Sequence, residues 1–295
     1  MKCGYVSVFG RANAGKSSII NRCLGFKLLP VSSKPQTTRD NVRAIYTSDD
    51  TQIIFVDTPG VFKPHGKLGS ILLRDAYNSL EGIDCILFVI DAASKVDLEL
   101  ANKLNNIKDI PIIVCFNKID LISLNTGLER LSQYQKALSG TNATFIQTSC
   151  KDNFNIDTII NTITEILPER EFEFPDYYVS DRPKEYIIAE MIREKCMRLL
   201  KDEVPHSIYV DIKAIEEDDK NIDVYCDIIV EKESERGIVI GKNGKMLKDI
   251  RTFSQKSISS YFGLKAHLDI LIKCIPNWRN DDKYLKKFGF EDGSK

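Results

Sequence analysis

Short apolar runs alternate with amphipathic stretches through residues 1–167. The apolar runs predict buried strands at 4–9, 42–47, 52–57, 84–90, 111–116 and 144–148. Apolar residues at helical spacing predict helices near 15–25, 67–80, 95–107, 125–138 and 154–166. Because buried strands that alternate with helices are typical of parallel sheets, we predict an α/β domain over 1–167, with a mostly parallel sheet wrapped by helices.

The order of elements changes after a proline-containing segment at 168–183, which we interpret as a linker. Beyond it the pattern predicts a helix (184–201), two strands (207–216 and 221–231), a glycine-centred helical segment (236–262) and a last strand (266–275). This order indicates a separate α+β domain over 184–276, followed by a tail at 277–295.

The composition fits two globular domains. Of 295 residues, 43% are hydrophobic and 28% are charged, which excludes wholesale disorder. The best apolar run, at 85–90, is far shorter than the ~18 residues of a membrane span. The chain enters its first strand without a signal-like segment, so we expect a cytoplasmic protein. Its eight cysteines never approach C-x-x-C spacing and its three histidines are scattered, so we expect buried thiols rather than disulfides or a zinc site.

The segment from Gly10 to Ser17 fills every fixed position of the phosphate-loop pattern G-x-x-x-x-G-K-[ST], between a predicted strand and a predicted helix. Glycines let consecutive backbone N–H groups turn towards a phosphate, and the helix N-terminus adds to the attraction. Lys16 supplies a charge on the β- and γ-oxygens, and the Ser17 hydroxyl can bind Mg²⁺. The pattern predicts an α/β P-loop NTPase. Its predicted phosphate contacts are Gly10, Asn13, Ala14, Gly15, Lys16, Ser17 and Ser18.

A second phosphate element follows the predicted strand 52–57. Asp57 stands at the carboxyl end of that strand, where open α/β sheets bind ligands, and is a natural Mg²⁺ partner. The Gly60 backbone N–H can sense a γ-phosphate. We therefore include Asp57, Thr58, Pro59, Gly60 and Val61 in the phosphate site.

Two further segments predict guanine recognition. Asn117, Lys118, Ile119 and Asp120 follow the strand 111–116, and Ser149, Cys150 and Lys151 follow the strand 144–148. The Asp120 carboxylate can accept from guanine N1–H and the N2 amino group, a donor pair that adenine lacks. The stem of Lys118 can cover the base, and the backbone of 149–151 can close its other side.

A polar segment, 34–40, separates the phosphate loop from Asp57. It is either an ordinary surface loop or a switch. In the second interpretation the Thr38 hydroxyl reaches Mg²⁺ only when a γ-phosphate is present.

The motifs GRANAGKS, PQTTRD, DTPG, NKID and SCK together resemble the five G motifs of the Era family of translation-factor-related GTPases. The resemblance implies Thr38 as the switch threonine, Ser17 and Thr38 as Mg²⁺ ligands beside Asp57, and Asn117 and Asp120 as guanine readers. Val61 stands where Ras-like proteins have a water-orienting glutamine, so we expect slow intrinsic hydrolysis. Asn13 matches an asparagine that helps hold K⁺ in K⁺-stimulated relatives, although Ala12 replaces the proline common in that loop.

A G-x-x-G turn lies within a basic segment of the second domain. Residues 236–256 contain six basic side chains against one acid, Asp249. The order of elements around the turn matches a type II KH domain, whose turn clamps single-stranded nucleic acid, whereas the alternative is a solvated helix with a glycine cap. The predicted RNA contacts are Gly241, Lys242, Asn243, Gly244, Lys245, Lys248 and Arg251.

The Era resemblance also covers the linker and the tail, and it implies a monomeric GTPase acting in 30S subunit assembly and 16S rRNA maturation. Its implied partners are GTP or GDP, the 3′ end of 16S rRNA, the 30S subunit and, peripherally, the inner face of the cell membrane. Two alternatives stay open. One is a signalling switch or tRNA-modification GTPase whose C-terminal domain docks protein, and the other is a GTP-binding structural module without useful turnover.

Overall fold

The computed structural model of the chain describes residues 1–34, 37–107 and 109–290. The predicted contributions of Pro35 and Gln36 to the switch loop, and of 291–295 to the tail, lie outside the described residues. The chain divides into two compact units. The first comprises Met1–Leu29, Thr38–Lys63 and Leu72–Asp181, and the second comprises Pro30–Thr37, Pro64–Ile71 and Arg182–Lys295.

The strands of the first unit form one mixed sheet. They are β1 (Lys2–Phe9), β2 (Val42–Thr47), β3 (Thr51–Asp57), β4 (Cys85–Asp91), β5 (Ile112–Asn117) and β6 (Thr144–Gln147), and their spatial order is β2-β3-β1-β4-β5-β6. All neighbours are parallel except β2 and β3. The turn between β2 and β3 is too short for a crossover, so these two strands form a hairpin. The predicted mostly parallel sheet is confirmed.

Helices alternate with these strands along the chain. They are α1 (Lys16–Leu24), α2 (Gly66–Asn78), α3 (Glu99–Leu104), α4 (Leu124–Ala137) and α5 (Ile156–Ile166). The helix predicted at 95–107 was too long, because α3 begins only at Glu99. Before it, the Asp97 carboxylate accepts from the Glu99 backbone N–H and from the Arg11 side chain, which holds this stretch as a loop.

The core of the first unit explains the continuous apolar runs. Cys85–Ile90 of β4 and the whole of β5 are buried, as expected for central strands covered by helices on both faces. Phe9, Phe88 and Phe116 form part of one cluster in this core. Since β1, β3, β4, β5 and β6 run parallel, their carboxyl ends lie at one edge, and the phosphate loop, the segment after Asp57 and the two predicted guanine segments begin there.

The second unit is an α+β domain. Its elements are α6 (Lys184–Leu199), α7 (Val204–Ser207), β7 (Tyr209–Glu217), β8 (Asn221–Val230), α8 (Glu233–Ile240), α9 (Lys245–Phe262), β9 (Lys265–Cys274) and α10 (Asp282–Lys287). The sheet order is β7-β8-β9, with β7 and β8 antiparallel and β8 and β9 parallel. Residues alternate between buried and exposed along most of β9, which indicates one face packed on the helices. The helical segment predicted at 236–262 is divided by the glycine turn into α8 and α9.

The segment after β9 packs on the start of β7. Trp278 is completely buried, and its indole Nε1 donates to the carbonyl of Ser207 over 2.8 Å. The ring of Phe288 stacks on Tyr209 with centroids 4.0 Å apart and lies 5.4 Å from the Trp278 ring. This aromatic cluster makes the described part of the predicted tail a component of the second unit. Within the described residues, no helix combines the length and the apolarity that crossing a membrane requires.

We expect Phe288→Ala to lower the free energy of unfolding of the second unit by about 3 kcal/mol, because it removes a buried ring and leaves a cavity beside Tyr209 and Trp278. Trp278 is the only tryptophan of the chain, so its fluorescence in urea reports this unit directly. Lys286→Ala, at an exposed position of α10, is the matched control. An unchanged urea midpoint for Phe288→Ala would contradict the packing described.

Candidate nucleotide site and nucleic-acid interface

The phosphate loop connects β1 to the first residue of α1. Its middle is a turn in which the Ala14 N–H donates to the Arg11 carbonyl over 3.3 Å, with Asn13 at a positive φ of 64°. Gly15 has a φ of 105°, and a Cβ there would lie 2.3 Å from Nδ2 of Asn117. Only glycine fits that position without displacing Asn117. The loop therefore brings successive backbone N–H groups to the N-terminus of α1, which is an anion-binding arrangement.

Lys16 is buried under this loop. Its Nζ donates to the carbonyls of Gly10 and Arg11, over 3.3 and 3.1 Å. Burial lowers the pKa of Lys16 to about 8, and the nearby Asp57 charge opposes that shift. A cation held by backbone carbonyls at a phosphate loop is suited to exchange those carbonyls for phosphate oxygens.

Asp57 brings together the three predicted Mg²⁺ ligands. Its Oδ2 accepts from Ser17 Oγ over 2.7 Å and from Thr38 Oγ1 over 3.1 Å. Its Oδ1 is buried and has no hydrogen-bond partner among the described residues. Burial raises the pKa of Asp57, whereas the Lys16 charge and the two hydroxyl hydrogen bonds lower it. A buried carboxylate and two hydroxyls, with one carboxylate oxygen unused, are oxygen donors of the kind that Mg²⁺ prefers, so these residues fit the ion.

The segment after Asp57 is tied to the phosphate loop. The Val61 N–H donates to the Gly10 carbonyl over 3.0 Å, and the Val61 carbonyl accepts from the Ala12 N–H over 3.3 Å. The Val61 side chain is buried in the cluster that contains Phe9 and Phe88. Position 61 therefore offers no polar group to a reacting water, and slow intrinsic hydrolysis stays a prediction.

Asn117 joins the two segments of the predicted guanine site to the phosphate loop. Its Nδ2 donates to the Ala14 carbonyl over 3.0 Å, and its Oδ1 accepts from Thr148 Oγ1 and the Cys150 N–H, each over 3.4 Å. The side chain thus connects the phosphate loop, the end of β5 and the segment after β6. The structure gives Asn117 a positioning role, and its predicted direct contact with guanine stays a prediction.

The Asp120 carboxylate lies in a short helical turn, Ile119–Leu121, after β5. Its Oδ1 accepts from Ser149 Oγ over 2.8 Å, and Lys151 Nζ lies 3.9 Å from its Oδ2. Two predicted segments therefore meet at this side chain. The hydroxyl hydrogen bond orients the carboxylate and leaves further acceptor sites for a base.

The sequence interpretation missed the ionic partner of Lys118. Lys118 Nζ donates to Asp91 Oδ2 and to the Asn13 carbonyl, each over 2.7 Å. Asp91 ends β4 at the same edge of the sheet as Asp57, so its position at a strand end was the signal that could have identified it. The bond to Asn13 connects the predicted base site directly to the phosphate loop.

In the second unit, the predicted RNA turn lies between α8 and α9. Gly241, Asn243 and Gly244 have positive φ values of 72°, 52° and 73°. A Cβ at Gly241 would lie 2.6 Å from the Cβ of Met246, so the turn requires glycine there. Lys242, Asn243, Lys245 and Lys248 are exposed beside it, whereas Arg251 is only partly exposed.

Exposed apolar side chains accompany these basic residues. Ile238 is 49% exposed and Ile240 is 36% exposed on α8. Phe253 on α9 is also 49% exposed and was not identified at all. Its signal in the sequence was an aromatic residue within the basic run. Exposed apolar surface beside basic side chains is a combination that suits unstacked nucleotides.

Comparisons with known proteins cover both units. Residues 5–118 match the model of a family described as 50S ribosome-binding GTPase, and residues 203–279 match that of the KH domain. GTPase Era of Staphylococcus epidermidis is 38% identical over 98% of this chain and 97% of its own length. GTPase Era of Staphylococcus haemolyticus is 37% identical over the same shares.

Two solved structures resemble the whole chain. A crystal structure of Era in complex with MgGDPNP and nucleotides 1506–1542 of 16S ribosomal RNA has a TM-score of 0.92, with 35% identity over 98% of this chain and 99% of its own. A crystal structure of a tyrosine-to-alanine variant of Aquifex aeolicus Era bound to GDP.AlF4⁻ has a TM-score of 0.91, again with 35% identity over 98% and 99%.

We expect the affinity for GDP to fall about tenfold between pH 7 and pH 9. Bound phosphate favours the charged form of Lys16, but above a pKa of about 8 the free protein holds a neutral amine that must first take up a proton. Equilibrium titration with a fluorescent GDP analogue in Mg²⁺ at constant ionic strength measures this effect.

Lys16→Arg is the control for that titration, because it stays charged across this range and shares every other titrating group, the base included. The affinity of Lys16→Arg should change less with pH than that of the unaltered protein. Equal pH dependence in the two proteins would contradict a lowered Lys16 pKa.

Proposed function

The chain belongs to the Era family of GTPases, and from that premise we propose that it hydrolyses GTP while its KH domain holds the 3′ end of 16S ribosomal RNA during assembly and maturation of the 30S subunit. The observation that carries this proposal is the match to Era over 98% of the chain, which includes both the nucleotide site and the glycine turn. A relative that shared only the first unit would support nucleotide binding alone.

The proposed roles in the first unit follow from its contacts. The loop amides and the Lys16 ammonium bind the phosphates. The Asn117 side chain fixes the distance between the phosphate loop and the guanine segments through its hydrogen bond to Ala14. Asp120 accepts the guanine donors in the orientation that Ser149 gives it. These roles account for a binding site selective for guanine.

Magnesium fits the same site through Ser17, Thr38 and Asp57. When bound, the ion supplies positive charge to the phosphate oxygens. Thr38 and Ser17 donate to Asp57 in the described contacts, and their hydroxyl oxygens are the groups that turn to the ion. Because Thr38 belongs to the switch segment, its contact couples that segment to the nucleotide state.

Hydrolysis by the chain alone is expected to be slow. Val61 is buried and tied by its backbone to Gly10 and Ala12, so it positions no water. We propose that a group from a bound partner, or a monovalent cation, completes the site. Hydrolysis that depends on a bound partner suits a GTPase that should hydrolyse GTP only when assembly has reached a given stage.

The KH domain supplies the RNA contacts of the proposal. Lys242, Lys245 and Lys248 provide charge for the backbone, and the exposed Ile238, Ile240 and Phe253 provide apolar surface for bases. This combination favours RNA over the alternative of a protein-docking domain. A cytoplasmic location stays a prediction from the sequence, and a monomeric state and peripheral contact with the inner face of the membrane stay predictions of the family resemblance.

We expect Lys242→Ala/Lys245→Ala to weaken binding of labelled 16S rRNA 3′-end RNA and to reduce the slope of log affinity against log salt by about 1.4, the value for two phosphates of a single strand. Filter binding or fluorescence anisotropy across a salt series measures both quantities. Gly241→Asp/Gly244→Asp should abolish binding, because it adds two carboxylates to the turn.

Two controls accompany the RNA experiment. Lys201→Ala/Lys220→Ala removes the same amount of charge at exposed positions elsewhere in the second unit. Its slope of log affinity against log salt should equal that of the unaltered protein. Lys16→Ala should no longer bind GTP but should bind RNA as the unaltered protein does. If the turn variants bind RNA as the unaltered protein does, the second unit has another task, and the protein-docking alternative is favoured.

We also propose that Asn13 helps to hold K⁺ against the phosphates. Its backbone sits at a φ of 64° in the phosphate loop, and the family resemblance implies that an asparagine at this position helps to hold the cation. GTP hydrolysis should then be about tenfold faster in K⁺ than in Na⁺, since a cation of the right size stabilises the developing charge. Asn13→Ala should remove most of the difference, and equal rates in the two salts for the unaltered protein would refute the proposal.

A further inference from the structure

Arg11 occupies a variable position of the phosphate loop, and its guanidinium group forms ion pairs with two acidic side chains. Its Nε donates to Asp97 Oδ2 over 2.7 Å, and its Nη2 donates to Glu99 Oε2 over 2.6 Å. We propose that this acid clamp, defined as Arg11, Asp97 and Glu99, makes Arg11 a positioning residue of the nucleotide site. The inference rests on the proposed function, because it assigns the clamp to the binding of guanine nucleotides.

The acids of the clamp are themselves held in place. The Asp97 backbone N–H donates to the hydroxyl of Tyr134 over 3.1 Å, and Asp97 Oδ1 accepts from the Glu99 N–H over 3.0 Å. Tyr134 is buried and packs edge-on against Phe116 of β5. The clamp therefore connects the phosphate loop to the core through Asp97, whose backbone is held by the buried Tyr134.

The backbone of Arg11 is what the clamp positions. Its carbonyl accepts both from Lys16 Nζ and from the Ala14 N–H. Its two neighbours, Gly10 and Ala12, form the hydrogen bonds to Val61. If the Arg11 side chain is released, the loop is no longer held at the residue whose carbonyl binds Lys16 and closes the turn. Nucleotide affinity should then fall, because loop N–H donors that are not already in place lose more entropy when the phosphate binds.

Considered only as charges, the two acids should have the opposite effect on nucleotide binding. Two carboxylates near a phosphate site repel an anionic ligand, so their removal should strengthen binding if only the long-range field matters. If the clamp matters more, removal of either acid weakens binding. Glu99 and Asp97 are partly exposed, so each effect should be moderate.

The experiment measures the dissociation rate and affinity of a fluorescent GDP analogue in the full chain. We expect Arg11→Ala and Asp97→Ala each to speed dissociation roughly fivefold, and the double variant to be no faster than Arg11→Ala, because both changes break the same clamp. Arg11→Lys keeps one charged hydrogen bond and should give an intermediate rate. Glu81→Ala, which removes an exposed acid in the turn after α2, should leave the rate unchanged.

The outcomes separate this inference from the proposed function. If the unaltered protein binds GDP but Asp97→Ala binds it equally or more tightly, the clamp has no positioning role. Additive effects of Arg11→Ala and Asp97→Ala would equally overturn it. Failure of the unaltered protein to bind GDP at all would instead refute the proposed function. The thermal midpoint of each nucleotide-free variant confirms that a changed rate arises in a folded protein.

Discussion

The arrangement of the nucleotide site depends on one buried carboxylate, that of Asp57. Burial of an ion is costly unless it is paired and hydrogen-bonded, and here Lys16, Ser17 and Thr38 provide that compensation only in part. The carboxylate oxygen without a partner among the described residues is an acceptor that a metal ion could use. Two of the residues that reduce the cost of the buried charge, Ser17 and Thr38, are also the ones that we propose as magnesium ligands beside Asp57.

The sheet explains why the motifs lie so far apart in the sequence. Four of the five lie at the end of a strand at the same edge of the sheet, whereas the switch segment lies between α1 and β2, and polar side chains of these segments bind one another. Asn117 joins three loops, Lys118 joins Asp91 to Asn13, and the acid clamp joins the phosphate loop to the segment before α3. A site assembled in this way loses little entropy on binding. Val61, buried and tied by its backbone to Gly10 and Ala12, offers no polar group to a reacting water.

The parts that could be predicted from the sequence are those that local patterns determine. The strand runs, the phosphate loop and the glycine turn each occupy a few consecutive residues whose chemistry is specific, and the change in the order of elements after 168–183 indicated two domains. The Asp91–Lys118 pair and the acid clamp could not be predicted in the same way, because each depends on which distant side chains the sheet brings together. The start of α3 was missed for the same reason, since a tertiary hydrogen bond rather than helical propensity holds Asp97 in a loop. Phe253 was missed because an apolar residue on a helix is most often core.

One chain carries a guanine nucleotide site and an RNA-binding turn, and we propose that both serve the 3′ end of 16S rRNA. Ultraviolet crosslinking of the protein to RNA in cells, read as nucleotide positions and as crosslinked peptides, is the decisive test of this proposal. We expect crosslinks that cluster at the 3′ end of 16S rRNA and peptides from 233–262, which contain α8, the glycine turn and α9. Crosslinks concentrated in another RNA, or peptides that exclude this region, would contradict it.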